Sequence, residues 1–114
     1  MMSIKSCPSF NKSLFAGFAA LVWLLLPNAV FADSKKVYEN KCTACHGFGI
    51  AGAPKIGDID DWRSRIEKGM VVLYKNAIEG FTGDKGVMPP KGGFTEISDD
   101  EIKSIVDYMV ESSR

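Results

Sequence analysis

Five consecutive residues, Cys42-Thr43-Ala44-Cys45-His46, constrain this chain more than any other stretch. Two thiols three positions apart fall on nearly one face of a helical turn, so both can reach one edge of the same rigid planar group. The imidazole that follows directly can turn toward a metal held at the centre of that group. Cys-x-x-Cys-His is the attachment sequence for c-type haem, and it predicts two thioether links through Cys42 and Cys45 with His46 as an iron ligand. Because His46 is the only histidine, a second axial ligand must be of another kind. A soft thioether suits low-spin haem iron and raises its potential, which leaves Met70, Met88 and Met109 as candidates. Met109 lies on the apolar stripe of a helix and Met70 opens one, positions where methionine fills a core. Met88 reads as a loop residue amid glycines, stiffened by Pro89 and Pro90, with little core to fill; it is the favoured second ligand.

The N-terminus reads as a secretory signal peptide. Lys5 and Lys12 precede an apolar run of 13 residues from Leu14 to Leu26, followed by Pro27, Asn28 and small residues up to Ala32. A spanning helix needs about 20 apolar residues, so a retained anchor is the weaker alternative. Cleavage is expected after Ala32, with Ala29 as the other choice, giving a signal peptide of residues 1–32 and one domain of residues 33–114. Cys7 sits in the basic region without a small-residue lipidation context and goes with the discarded segment. The remaining 82 residues are too few for a robust apolar core and hold only two cysteines. A covalently bound haem would supply the missing core. Without Lys5 and Lys12 the chain keeps 12 basic against 14 acidic residues, a net charge of −2, which argues against nucleic acid as a partner.

Val37, Tyr38, Lys41 and Cys42 are spaced for one helical face, with Asp33 or Ser34 placed to cap a short helix that delivers the cysteines. Five glycine or proline residues between Gly47 and Gly57 predict a loop lying close to a flat ligand. Asp60 or Asp61 is placed to cap a second helix through Trp62, Ile66 and Lys68, and a third runs from Met70 to Glu79 between Gly69 and Gly80. Apolar positions of this pair include Trp62, Ile66, Val71, Leu73, Tyr74, Ala77 and Ile78. Phe81 to Gly93 reads as a second loop. Ser98 caps a last helix whose first turn is Asp99-Asp100-Glu101 and whose apolar stripe is Ile102, Ile105, Val106, Met109 and Val110. No strand alternation or internal repeat is visible, so the fold is expected to be all-α, three to five helices around one haem.

Taken together, Cys42 to His46, Gly52-Ala53-Pro54-Lys55-Ile56-Gly57-Asp58, Trp62 with Arg65, Gly69-Met70, Gly86-Val87-Met88-Pro89-Pro90-Lys91-Gly92-Gly93 and the Ser98 helix with Tyr108-Met109 resemble a class I cytochrome c, most nearly the cytochrome c5 family. The resemblance spans nearly the whole of residues 33–114. It implies haem c with His46 and Met88 axial, and a Pro54 carbonyl accepting a hydrogen bond from the His46 ring, which orients the imidazole and increases its basicity. Tyr38 and Tyr108 resemble the aromatic pair where first and last helices cross. Trp62 and Arg65 are assigned to a haem propionate, the indole as donor and the guanidinium as charge partner. Lys85 and Lys91 flank the Met88 segment and are placed to orient partners. Family members commonly carry two further cysteines after the Gly-Gly pair, where this chain has Phe94 and Ile97; packing by these two is expected in place of a disulfide.

The expected function is a periplasmic one-electron carrier exchanging electrons with other redox proteins, such as membrane cytochrome complexes, oxidases or reductases. It is expected to be a monomer without catalytic residues. One rival is a haem protein whose methionine ligand is labile and whose iron binds a gas or decomposes peroxide. Another is a thiol module in which Cys42 and Cys45 form a redox disulfide or hold zinc.

Overall fold

The computed structural model describes residues 28–114. Most of the expected signal peptide therefore lies outside the described residues. Helix α1 (Asn28–Lys41) begins upstream of the expected cap at Asp33 or Ser34, because residues 28–32 continue the helical backbone into it, and Ser34 is buried. The chain turns through Cys42 into a single-turn helix, α2 (Thr43–His46), and then a 3₁₀ turn at Ile50–Gly52. Two helices follow, α3 (Ile59–Ile66) and α4 (Met70–Glu79). Asp58, rather than Asp60 or Asp61, caps α3: its side chain accepts from the Asp61 amide at 3.1 Å, leaving Asp60 and Asp61 in the first turn where the helix dipole favours acids. The bounds of α4 follow from its flanking glycines as expected, although Val71 is 79% exposed and takes no part in the core.

The segment from Phe81 to Gly93 is not loop throughout. Strands β1 (Phe81–Gly83) and β2 (Gly86–Met88) pair antiparallel, with Phe81 opposite Met88 and Thr82 opposite Val87. Three-residue strands are too short to display alternation, so the hairpin has no periodic signature. A turn at Pro90–Gly93 leads to α5 (Asp99–Glu111), capped by Ser98 as expected, its side chain accepting from the Glu101 amide at 3.3 Å.

Helix α5 is the organising element, packing against both α1 and α4. All five residues of its predicted stripe are buried, together with Tyr38, Trp62, Ala77 and Ile97. Tyr38 and Tyr108 meet at the α1–α5 contact, ring centroids 5.5 Å apart and planes tilted by 55°. Ile97 is 6% exposed, and Phe94 packs against the same cluster under the Lys41 ammonium, which lies 4.4 Å from its ring centre. Those two positions are apolar packing, as expected. Among the described residues no helix is long and apolar enough to cross a membrane.

Candidate haem site

The attachment residues sit where α1 passes into α2. The Cys42 amide donates to the Tyr38 carbonyl at 2.9 Å and the His46 amide to the Cys42 carbonyl at 3.0 Å, so the helical path carries both thiols and the imidazole through one turn. Both cysteines are free, Cys45 exposed and Cys42 half-buried. Burial pushes the Cys42 thiol up to about 11, with Cys45 nearby acting in the same direction. A protonated thiol of that kind is the opposite of the acidified cysteine of a disulfide oxidoreductase.

His46 is 9% exposed and its Nδ1 lies 2.9 Å from the Pro54 carbonyl oxygen. A carbonyl only accepts, so Nδ1 carries the proton and donates, and the neutral ring keeps its lone pair on Nε2. Burial lowers the imidazole's proton affinity, the Pro54 carbonyl opposes that, and the Arg65 charge adds to it; the net direction is downward. A neutral imidazole with one nitrogen committed and the other basic is the form that ligates a metal.

Met88 ends β2 rather than sitting in a loop, and it is half-buried against the α5 core. Met109 is 5% exposed within that core and Met70 packs partly against it, in keeping with their filler role. Strand β2 lies against the Ile50–Gly52 turn that follows His46. The approach is backbone to backbone: a methyl at Gly52 would collide with the Lys85 carbonyl, and one at Gly86 with the Ala51 carbonyl. Glycine is required at both places, and through them the His46 and Met88 segments touch.

Several predicted site residues have other partners. The Trp62 indole, 4% exposed, donates its single N–H to the Lys55 carbonyl at 2.9 Å, so in this geometry that donor serves the Pro54 loop. Arg65 Nη1 donates to Asp61 Oδ1 at 2.6 Å and to the Asp61 carbonyl. Lys85 Nζ reaches the same carboxylate at 3.1 Å, tying the hairpin turn to α3. Partial burial would raise the Asp61 carboxyl, but the hydrogen bonds from Arg65 and Lys85 outweigh it and hold it below the ordinary value. Lys91 is a brace and not a free surface cation: its Nζ bonds the Ile97 carbonyl and Asp99 Oδ1, each at 2.7 Å, and its side chain is 19% exposed. Sequence reasoning misses Asp61 as the shared acceptor, although Asp61 and Arg65 stand four apart on one helix, a spacing that invites pairing. It also misses Ser113, whose Oγ accepts from the Gly57 amide at 2.9 Å, for which no local signal exists.

The donor set fits haem c: paired thiols at attachment spacing, a neutral oriented imidazole, and a half-buried thioether on the segment that adjoins it. The fold and site therefore define a small helical domain built for one covalently held haem. The sequence profile of the cytochrome c family matches residues 31–113. Cytochrome c-555 of Chlorobaculum tepidum is 42% identical over 107 residues, covering 91% of this chain and 99% of that protein. Cytochrome c5 of Ectopseudomonas mendocina is 41% identical over 75 residues, 64% of this chain and 82% of that protein. Among solved structures, an electron transfer complex of nitrite reductase with cytochrome c contains a chain 32% identical, with a TM-score of 0.62 over 71% of this chain and 94% of that one. The chain belongs to the cytochrome c family and resembles its c5 and c-555 members. It carries one haem c, attached covalently, and an electron-carrying role follows from that membership.

Proposed function

We propose that this protein is a periplasmic one-electron carrier whose haem iron is ligated by His46 and Met88, and that residues 1–32 are a signal peptide removed on export. The observation that carries it is the 2.9 Å hydrogen bond from His46 to the Pro54 carbonyl, which leaves the other imidazole nitrogen as a lone-pair donor in a buried setting. Bound haem supplies a ferric/ferrous couple. Cys42 and Cys45 hold it through two thioethers. His46 donates electron density set by its bond to Pro54, and Met88 completes the ligand field, held by hairpin pairing on one side and the Pro89-Pro90 pair on the other. Arg65, beside His46 electrostatically, is proposed to face a propionate with the nitrogens that Asp61 does not engage.

Partners are other redox proteins, met transiently by a monomer. An electron-transfer complex with a reductase is the setting of the solved relative, and that class of partner is the one proposed here. Optical spectra of the exported protein in both redox states test the proposal. The methionine-to-iron charge-transfer band in the ferric form, with no carbon monoxide binding in the ferrous form, is the expected result. Absence of the band together with ready carbon monoxide binding would replace the carrier by an open, ligand-binding haem site.

A further inference from the structure

Four consecutive residues beyond the His46 turn are each hydrogen-bonded to another part of the chain. The Pro54 carbonyl accepts from the His46 ring at 2.9 Å, and the Lys55 carbonyl accepts from the Trp62 indole at 2.9 Å. The Ile56 amide donates to the His46 carbonyl at 2.8 Å, and the Gly57 amide donates to Ser113 Oγ at 2.9 Å. Pro54 and Ile56 thus hold the ring and the backbone of one residue, His46. Lys55 and Gly57 are tied outward, to α3 and to the segment just past α5.

A peptide unit is planar, so a carbonyl aims where its plane aims. Three successive planes lie between Pro54 and Gly57. The first carries the carbonyl on the imidazole. The second is held at both edges, its carbonyl by Trp62 and its amide by His46. The third is held by Ser113. With both later planes fixed, the first has little freedom to swing away from the ring. Ser113 is 1% exposed, as deeply buried as Val110. A hydroxyl at that depth is costly unless bonded, so its bond to Gly57 accounts for a polar residue in an apolar position.

We infer that Ser113 and Trp62 are positioning residues for His46: acting through Gly57 and Lys55, they keep the Pro54 carbonyl on the imidazole and thereby set how much electron density the ring gives to iron. This rests on His46 being the axial ligand. A strong bond from the ring N–H to a carbonyl makes the imidazole a better donor and favours the ferric state. Loosening the loop weakens that donation and favours the ferrous state, raising the potential.

The test uses the holoprotein with haem attached, in four forms: wild type, Ser113→Ala, Ser113→Thr and Trp62→Phe. Three quantities are measured: solvent exchange of the His46 ring proton by NMR in the ferrous form, the midpoint potential, and the thermal midpoint. In Ser113→Ala the ring proton exchanges about tenfold faster, the upper end of what one hydrogen bond contributes. The ferrous form gains about threefold, about 28 mV for a one-electron couple. Ser113→Thr restores both, and Trp62→Phe moves both in the same direction as Ser113→Ala. A Ser113→Ala protein with a lower thermal midpoint but unchanged exchange and potential overturns the inference, leaving Ser113 a purely structural residue; if that variant does not fold, the same outcome in Trp62→Phe overturns it. A wild-type ferrous spectrum in which the His46 ring protons lack the upfield ring-current shift of a haem ligand overturns His46 ligation itself, and the inference with it.

Discussion

The segment after His46 and the segment that carries Met88, which the proposed ligation would bring to one iron, differ in construction. From Pro54 to Gly57 every residue is hydrogen-bonded to another part of the chain, and the partner residues His46, Trp62 and Ser113 are buried. The Met88 segment relies on a hairpin of two three-residue strands, on the exposed Lys85–Asp61 tie to α3 and on Lys91 reaching toward α5. Its neighbours Val87, Pro89 and Pro90 are exposed. Local stability follows the number of buried contacts and protected hydrogen bonds. The histidine side is therefore the fixed jaw of the site, and the methionine side is the one that opens first under stress.

The harshest way to break this comparison is to remove the thioether. Met88→Ala is expected to abolish the methionine-to-iron band, allow carbon monoxide to bind, and lower the potential by on the order of 100 mV, within the about 0.8 V range that axial ligands command. His46 ring-proton exchange should stay as in the wild type if the two sides are independently held. Next is Ile97→Ala, which leaves a cavity in the core where Lys91 is anchored, at a site 6% exposed; a loss of about 2–4 kcal/mol in denaturant unfolding is expected. Lys91→Met should have a smaller effect, about 1 kcal/mol for the bond to the Ile97 carbonyl, since its ion pair with exposed Asp99 is screened. Its signature is loss of the methionine band at a milder alkaline pH, with the histidine side unchanged.

The smallest effect comes from a group belonging to neither side. Tyr74 on α4 donates to Asp107 on α5 at 2.5 Å, and that bond, with burial, pushes its phenol up to about 12 from 10.0. A raised pKa means the folded state favours the protonated form, so this contribution is complete below pH 10 and is lost as pH rises toward 12. Thermal midpoints taken across that window should fall in the wild type and fall less in Tyr74→Phe.

Features set by neighbouring residues are legible from the amino-acid order alone. The attachment motif, the glycines around α4, the Ser98 cap and the α5 stripe depend on spacing within one or two turns, and each appears where the sequence places it. Asp58 in place of Asp60 or Asp61 as the α3 cap is a shift of two or three residues among three chemically equal candidates. What is illegible depends on partners far along the chain. Trp62 has one N–H, and whether it meets a propionate or the Lys55 carbonyl is decided by how α3 lies against the loop. Lys91 reads as a lysine placed to orient partners because nothing nearby reveals that its ammonium folds back onto Ile97 and Asp99. Ser113 is a single hydroxyl near the end of an apolar stripe, and only its seat beside Gly57 gives it a role.

The glycine seam between the Ile50–Gly52 turn and β2 also bears on the order in which the molecule is assembled. Its two edges are far apart in the chain, and closing so long a loop costs entropy that only the completed contact offsets. Contacts of that kind form late. The helical turn bearing Cys42 and Cys45 needs nothing beyond its immediate neighbours, so it can form while the seam is still open. Haem attachment therefore need not wait for the two bare backbones to close against each other, and Cys45 stays exposed once they have.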